Sequence, residues 1–252
     1  MAEYGHGVFY PAELSELEVR HLLYLSQTDV TKDPDLGLQY AVAAYDKALQ
    51  PEVAASDPTA AGEAAAKAGF RSEQLNYAAN VVSKWFERSH EALQADDPKT
   101  KRERVATYIL EGRAWGLDVL KGSGNRELLD RALLAFFLGE QIVQEQHHGG
   151  IFDWDPYAAM LKCHDATFEA MFGKGRRAAR FAISAMGRSL TALPENANTP
   201  NQLATIPRMT KKDIKFNSKH TLIGLAALFL AVTKKINFAQ PLRRKLAFKI
   251  LG

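Results

Sequence analysis

Amphipathic helical periodicity runs through almost the whole chain and constrains the fold more than any other feature. Apolar residues recur at i, i+3, i+4 and i+7, the spacing that places them on one face of an α-helix. These stripes occupy residues 12–26, 35–49, 74–94, 103–120, 127–143, 156–172 and 175–193. No run of four or more residues alternates apolar and polar side chains convincingly, as a half-buried strand would. The sequence therefore predicts an all-α protein.

Four Asp-Pro pairs predict where helices begin. An aspartate can accept hydrogen bonds from the free N–H groups of a first helical turn, and a proline at the next position loses no helical bond. The pairs are Asp33-Pro34, Asp57-Pro58, Asp97-Pro98 and Asp155-Pro156.

The stripes pair into successive helical hairpins, 12–26 with 35–49, 103–120 with 127–145, and 156–172 with 175–193. Residues 51–70 are rich in alanine and weakly patterned, so they are either a loosely packed helix or a mobile excursion. Proline and asparagine are frequent from residue 193 onward, which indicates a linker. The expected organisation is an acidic helical hairpin domain over 1–193, a linker over 194–207 and a basic helical segment over 208–252.

Two segments resemble the second helix of tetratricopeptide repeats. The small–aromatic–small spacing of that helix occurs at Ala41, Tyr45 and Ala48, and again at Ala132, Phe136 and Gly139. The chain is thus similar to tetratricopeptide-like helical-hairpin proteins. This resemblance implies a stacked array that binds a protein or peptide and carries out no catalysis. No fixed period near 34 residues runs through the chain, so an irregular helical bundle stays open as the alternative.

Charge is distributed unevenly along the chain. From Arg208 to the end there are eleven Lys or Arg and one acid, Asp213, a net charge of +10, so residues 1–207 carry −7 within the total of +3. This asymmetry indicates an anionic partner: an acidic protein, a nucleic acid or membrane headgroups. The residues expected to bind it are Lys211, Lys212, Lys215, Lys219, Lys234, Lys235, Arg243, Arg244, Lys245 and Lys249.

An apolar run lies inside this basic tail. Thirteen uncharged residues extend from Thr221 to Thr233, whereas a membrane-spanning helix needs about 20. We therefore expect residues 220–236 to be buried in protein, against the body or a second chain. After this run, Pro241 is expected to start a short basic amphipathic helix. Its apolar side would hold Leu242, Leu246 and Ile250, and its other side most of Arg243, Arg244, Lys245 and Lys249.

One group of histidines and aspartates invites metal chemistry. His147 and His148 precede two aspartates, and His164 follows. Histidine and carboxylate bind zinc, manganese or iron, and the order faintly resembles that of the HD metal phosphohydrolases. The spacing matches no specific ligand motif, and histidines at a helix end complement its negative pole. We expect no metal and no cofactor, with a metal-dependent hydrolase at these histidines as a lesser alternative.

The leading hypothesis is a non-enzymatic helical interaction or scaffold protein whose basic C-terminal segment docks on an anionic partner. The alternatives are a nucleic-acid-associated protein that uses the same tail and a peripheral membrane protein. A single cysteine, Cys163, excludes an internal disulfide, and residues 1–20 lack the basic and apolar regions of a signal peptide. We expect a cytoplasmic location, with attachment to a membrane surface as the alternative.

Overall fold

Helices dominate the computed structural model, which describes residues 2–3, 7–27, 30–122, 125–145, 164, 167, 171, 226, 229–230, 233 and 240–251. Of the described residues, 80% are helical, and the predicted all-α class is confirmed. The chain divides into two compact units, Met1–Ala135 and Phe136–Gly252. The predicted linker at 194–207 lies outside the described residues, and the predicted domain bounds stay a prediction.

A short hairpin and a 3₁₀ turn precede the first helix. Strand β1 (Ala2–Glu3) pairs antiparallel with β2 (Phe9–Tyr10). A 3₁₀ turn at Ala12–Glu16 then leads into α1 (Val19–Leu25). The Tyr10 hydroxyl donates a hydrogen bond to Asp46 Oδ2 at 2.9 Å, which ties the hairpin to the helical body. The sequence pattern did not indicate these strands, because two residues are too few to show alternation.

Seven further helices have bounds that the structure gives, and four of them, those at 34–48, 79–92, 98–121 and 126–145, overlap predicted stripes. The seven helices are α2 (Pro34–Ala48), α3 (Pro51–Ser56), α4 (Ala60–Gln74), α5 (Ala79–Ala92), α6 (Pro98–Lys121), α7 (Arg126–Glu145) and α8 (Gln240–Leu251). In the predicted third hairpin, the described residues 164, 167 and 171 are helical.

Two of the Asp-Pro pairs begin helices as predicted. Asp33 accepts hydrogen bonds from two backbone N–H groups in the first turn of α2, at 3.0 and 3.4 Å. Asp97 does the same in α6, with both distances 3.0 Å. Asp155 lies outside the described residues.

The prediction that Asp57 begins a helix is wrong. Asp57 directly follows α3, and α4 begins only at Ala60, after Thr59. The Asp57 carboxylate instead forms ion pairs with Arg20 and Lys99. Two cations that are distant in sequence therefore satisfy this carboxylate, in place of the N–H groups of a following turn.

Helix α4 lies at the centre of the unit Met1–Ala135 and packs against α1, α2, α5 and α6. Its residues Ala60, Ala64 and Ala65 are fully buried. The expectation of a loosely packed helix or a mobile excursion is therefore wrong for this part of 51–70. A helix that is buried on nearly all sides shows no stripe, and its small residues let neighbours approach closely. A Cβ atom on Gly62 would lie 2.5 Å from Leu93 Cγ.

The predicted stripes of the remaining helices face the interior with local differences. In α5, Val82, Trp85 and Phe86 are buried as expected, although the helix begins at residue 79 rather than 74. In α7, Phe136 is buried but Phe137 is 55% exposed. Helix α1 packs against α2, as the first predicted hairpin requires.

Candidate interaction surface

Helix α8 carries the part of the predicted cationic set that the structure describes. It is twelve residues long and begins one residue before the predicted start at Pro241. Arg243, Arg244, Lys245 and Lys249 lie on it. The other six predicted partner-binding residues lie outside the described residues: Lys211, Lys212, Lys215, Lys219, Lys234 and Lys235.

The predicted distribution of apolar and basic side chains around α8 is wrong at two positions. Leu242 is 56% exposed, and Arg243 is only 2% exposed. Arg243 precedes Ala247 by four residues and Ile250 by seven, so burial of that face also buries Arg243. Its Nη1 donates to Gln240 Oε1 at 3.1 Å, and burial lowers the pKa of its guanidinium below the ordinary value. Arg243 is therefore not part of the exposed cationic surface.

The exposed cationic face of α8 consists of Arg244, Lys245 and Lys249. Because a helix rises about 1.5 Å per residue, the three backbone positions lie within about 8 Å along the axis. Lys249 also lies in the last turn, where a positive charge complements the negative end of the helix. Like charges held this closely repel one another, and an anion that binds between them relieves the repulsion.

A groove of about 710 Å³ runs beside this cationic face. Positions 240, 244 and 248 are spaced by four, as are 241 and 245, so these residues form a stripe along α8. The guanidinium of Arg244 lies 5.9 Å from the centre of the Phe248 ring, which places a positive charge beside an aromatic wall. The described residues that line the groove are Met171, Gln240, Pro241, Arg244, Lys245 and Phe248.

The apolar run of the tail is described at only a few positions. Ala226, Phe229 and Leu230 are helical, and the Thr233 N–H donates to the Phe229 carbonyl at 3.0 Å. Leu230 is fully buried, whereas Phe229 is 38% exposed. No helix among the described residues is long and apolar enough to cross a membrane. Burial of the whole segment 220–236 in protein stays a prediction.

Of the three histidines considered as metal ligands, the structure describes only His164. Its side chain is 3% exposed and stacks on Phe136, with ring centroids 6.2 Å apart. His147 and His148 lie outside the described residues. Within the described part of the chain, no three His, Cys, Asp or Glu side chains are close enough together to hold a metal ion.

A second polar site, which the sequence analysis did not identify, connects α1, α4 and α6. Arg20 donates hydrogen bonds to Asp57 Oδ1 and Glu63 Oε2, both at 2.6 Å. Lys67 Nζ donates to Glu63 at 2.5 Å, and Lys99 Nζ donates to Asp57 at 3.0 Å. We call this set the charge network, and it comprises Arg20, Asp57, Glu63, Lys67, Lys99 and Glu103.

Two carboxyl groups of the charge network have pKa values shifted in opposite directions. Burial raises the pKa of Glu103 to about 7, and the nearby Glu63 carboxylate adds to this effect. Burial also acts to raise the pKa of Asp57, but the hydrogen bonds from Arg20 and Lys99 outweigh it and hold the pKa below its ordinary value. The charge network therefore joins several helices, and its net charge changes near neutral pH because Glu103 titrates there.

A histidine–carboxylate pair joins α5 to α6. His90 Nε2 lies 2.8 Å from Glu111 Oε2, and the imidazole ring lies against Tyr108 with centroids 4.6 Å apart. Trp115 Nε1 donates to the other carboxylate oxygen of Glu111 at 3.4 Å. These contacts fix the orientation of the imidazole where the two helices meet.

Comparison with known proteins assigns no family to the chain. No protein-family model, no curated protein and no solved structure matches it. Any function must therefore be argued from the geometry described above.

Proposed function

We propose that the protein is a non-enzymatic helical interaction protein and that the cationic face of α8 docks on an acidic surface of a partner protein. One observation carries this proposal. Arg244, Lys245 and Lys249 are exposed on a helix whose opposite face is buried through Ala247 and Ile250. Cations held on an anchored helix steer an oppositely charged partner and fix its orientation.

The distribution of charge between the two compact units supports an anionic partner. The unit Phe136–Gly252 contains 17 Lys or Arg and 8 Asp or Glu, which gives a net charge of +9. The unit Met1–Ala135 contains 15 and 21, which gives −6. A strongly positive unit attracts acidic surfaces and disfavours basic ones.

Apolar side chains beside the cations favour a protein partner over a nucleic acid. Met171, Pro241 and Phe248 line the groove beside Arg244 and Lys245. Protein interfaces combine an apolar centre with a polar rim, whereas protein–DNA interfaces are more polar and depend on many phosphate contacts. The three exposed cations of α8 would supply few such contacts.

We retain the tetratricopeptide-like array as a proposal for the helical body. Ala41 and Ala48 are buried, and the Tyr45 ring packs edge-on against Trp85 at 5.3 Å. The burial of the small residues and the ring contact of the aromatic one support this proposal. An array of this kind would suit a scaffold for a protein or peptide.

The experiment compares two variants that each lose two positive charges from exposed lysines. The test variant is Lys245→Gln with Lys249→Gln, and the matched control is Lys32→Gln with Lys84→Gln. Fluorescence anisotropy would measure the binding of a labelled polyglutamate peptide, a DNA duplex and phosphatidylserine vesicles to each full-length protein at low salt. We expect the peptide to bind, with a dissociation constant raised about 2- to 30-fold in the test variant and unchanged in the control.

Two outcomes would count against the proposal. Equal peptide binding by wild type and both variants would show that α8 does not supply the charge. Tighter binding of the DNA or of the vesicles than of the peptide, lost in the test variant, would instead assign the cationic face to a nucleic acid or to a membrane surface.

A further inference from the structure

We propose that the groove beside α8 receives an apolar side chain of the same acidic partner, so that the partner segment is an acidic amphipathic peptide. This inference rests on the proposed function, because the cationic face must first attract the peptide. It adds a second requirement to the partner, an apolar anchor at a defined distance from its acidic residues.

The chemistry of the groove is divided between an apolar part and a cationic rim. Met171, Pro241 and Phe248 supply apolar surface, and Arg244 and Lys245 supply positive charge. A volume of about 710 Å³ is within the range of sites that bind small ligands and short segments. A purely acidic chain would leave the apolar part in contact with water, whereas an aliphatic side chain would cover it.

The spacing along α8 sets the spacing required of the partner. From Pro241 to Lys249 the helix rises about 12 Å, so cations lie beside the groove and one turn beyond it. A partner helix with an apolar residue at position i and acidic residues at i−4 and i+4 spans the same distance. The guanidinium of Arg244, 5.9 Å from the centre of the Phe248 ring, lies where a carboxylate one turn from the anchor can reach it.

Leu242 makes it possible to distinguish a peptide bound in the groove from a membrane surface bound to α8. It is the exposed apolar residue of α8 that does not line the groove. A lipid surface would take up an exposed leucine beside the cations. A peptide anchored in the groove would instead depend on Phe248.

The experiment uses two acidic helical peptides of equal length and charge, one with a central leucine and one with alanine at that position. Full-length wild type, Phe248→Ala, Phe248→Gln and the control Leu242→Ala are titrated with each peptide. We expect wild type to bind the leucine peptide about 5- to 30-fold more tightly than the alanine peptide. Both Phe248 variants should lose this preference and keep the affinity for the alanine peptide, and the control should retain the preference.

The second Phe248 variant distinguishes the loss of apolar surface in the groove from the loss of folded structure in α8. Phe248→Ala removes a half-buried side chain and could lower the stability of α8, whereas Phe248→Gln keeps a long side chain of good helix propensity there and removes the apolar surface from the groove. Thermal unfolding of each variant shows which ones are folded at the assay temperature. Loss of the leucine preference in folded Phe248→Gln supports the inference.

The remaining outcomes separate this inference from the proposed function. Equal, charge-dependent binding of both peptides by wild type overturns the groove inference and leaves the proposed function standing. Binding of neither peptide overturns both. A leucine preference that survives in folded Phe248→Gln overturns the inference as well. Phosphatidylserine vesicles that bind wild type more tightly than the leucine peptide, and lose affinity with Leu242→Ala, overturn it in favour of a membrane.

Discussion

The guanidinium of Arg71 lies so close to Gly37 that a Cβ atom on Gly37 would be 2.5 Å from Arg71 Nε. Arg71 is 2% exposed, and its Nη2 donates hydrogen bonds to the carbonyls of Ser26, Gln27 and Thr31. These carbonyls belong to the end of α1 and the segment that leads to α2, where a cation complements the negative end of the helix. Glycine at position 37 leaves the space in which Arg71 makes these contacts.

Gly37→Ala should therefore destabilise the protein, although alanine is the better helix former. We expect a loss of about 1–2 kcal/mol, because displacement of a hydrogen-bonded guanidinium outweighs the ~1 kcal/mol that alanine gains over glycine in a helix. Urea unfolding measures this change. In an Arg71→Ala background, the same substitution should be neutral or stabilising. An equal loss in both backgrounds would show that Arg71 is not the obstacle.

Asp33 and Asp57 both precede a proline, but substitution of each should have different consequences. Asp33→Ala removes a helix cap and should cost about 1 kcal/mol at any ionic strength. Asp57→Ala removes ion pairs with Arg20 and Lys99, so its cost of about 1 kcal/mol at low salt should shrink at high salt. The pKa of Asp57 is lowered in the folded state from its ordinary value of 3.8. The ion pairs of Asp57 therefore add to the free energy of unfolding above about pH 3.8, and this stabilisation is lost as the pH falls further. Urea unfolding at two salt concentrations would separate the two aspartates, and identical salt dependence would contradict this assignment.

Ser89→Ala should be more costly than the same substitution elsewhere on α5. The Ser89 hydroxyl donates to the Gly62 carbonyl at 2.7 Å and lies 2.9 Å from Thr107 Oγ1, all of it buried. Its removal leaves buried polar groups without that partner, at a cost of about 1–3 kcal/mol. Ser83, which is more exposed and accepts a hydrogen bond from Arg131, is the matched control, and Ser83→Ala should cost less than about 0.5 kcal/mol. Thermal or urea unfolding would measure both losses of stability. Equal losses for Ser89→Ala and Ser83→Ala would contradict the prediction, because they would mean that the two hydroxyls lie in equivalent surroundings.

The fold was predictable wherever one helix face meets water and the other meets protein. The stripe of α5 and the caps at Asp33 and Asp97 are local signals: both caps are found as predicted, and the stripe is found from Val82 onward, although its helix begins five residues later than predicted. Helix α4 was misjudged because a helix surrounded by other helices has no polar side to reveal its period. Its alanines and glycines looked weakly patterned, yet they are what allows four neighbouring helices to approach it.

The candidate sites depend on contacts between residues that are distant in sequence. A short helix was predictable at α8, but its rotation was not. Two faces of this helix were candidates for burial, one through Leu242 and Leu246 and one through Arg243 and Ala247. The structure buries the second face. The charge network is still less visible, because Arg20 and Asp57 are 37 positions apart and no local spacing relates them.

Glu103 makes the charge network sensitive to pH. Its side chain is influenced by Glu63 and Lys67 of α4, by Arg20 of α1 and by Lys99 of α6. The folded protein holds the Glu103 proton up to about pH 7, whereas an ordinary glutamate ionises near 4.5. The contribution of the protonated group to the free energy of unfolding is therefore complete below pH 4.5 and is lost as the pH rises through about 7.

Glu103→Gln should abolish this pH dependence, because glutamine cannot ionise. The variant should match wild type near pH 4.5 and should exceed its free energy of unfolding above about pH 7, by at most about 3 kcal/mol. Urea unfolding at intervals across this range measures the difference between the two proteins. Glu13→Gln removes the same charge from an exposed position and should change the free energy by less than about 0.5 kcal/mol throughout. A Glu103→Gln variant that is less stable than wild type at high pH would mean that the ionised carboxylate, through Arg20 and Lys67, stabilises the fold.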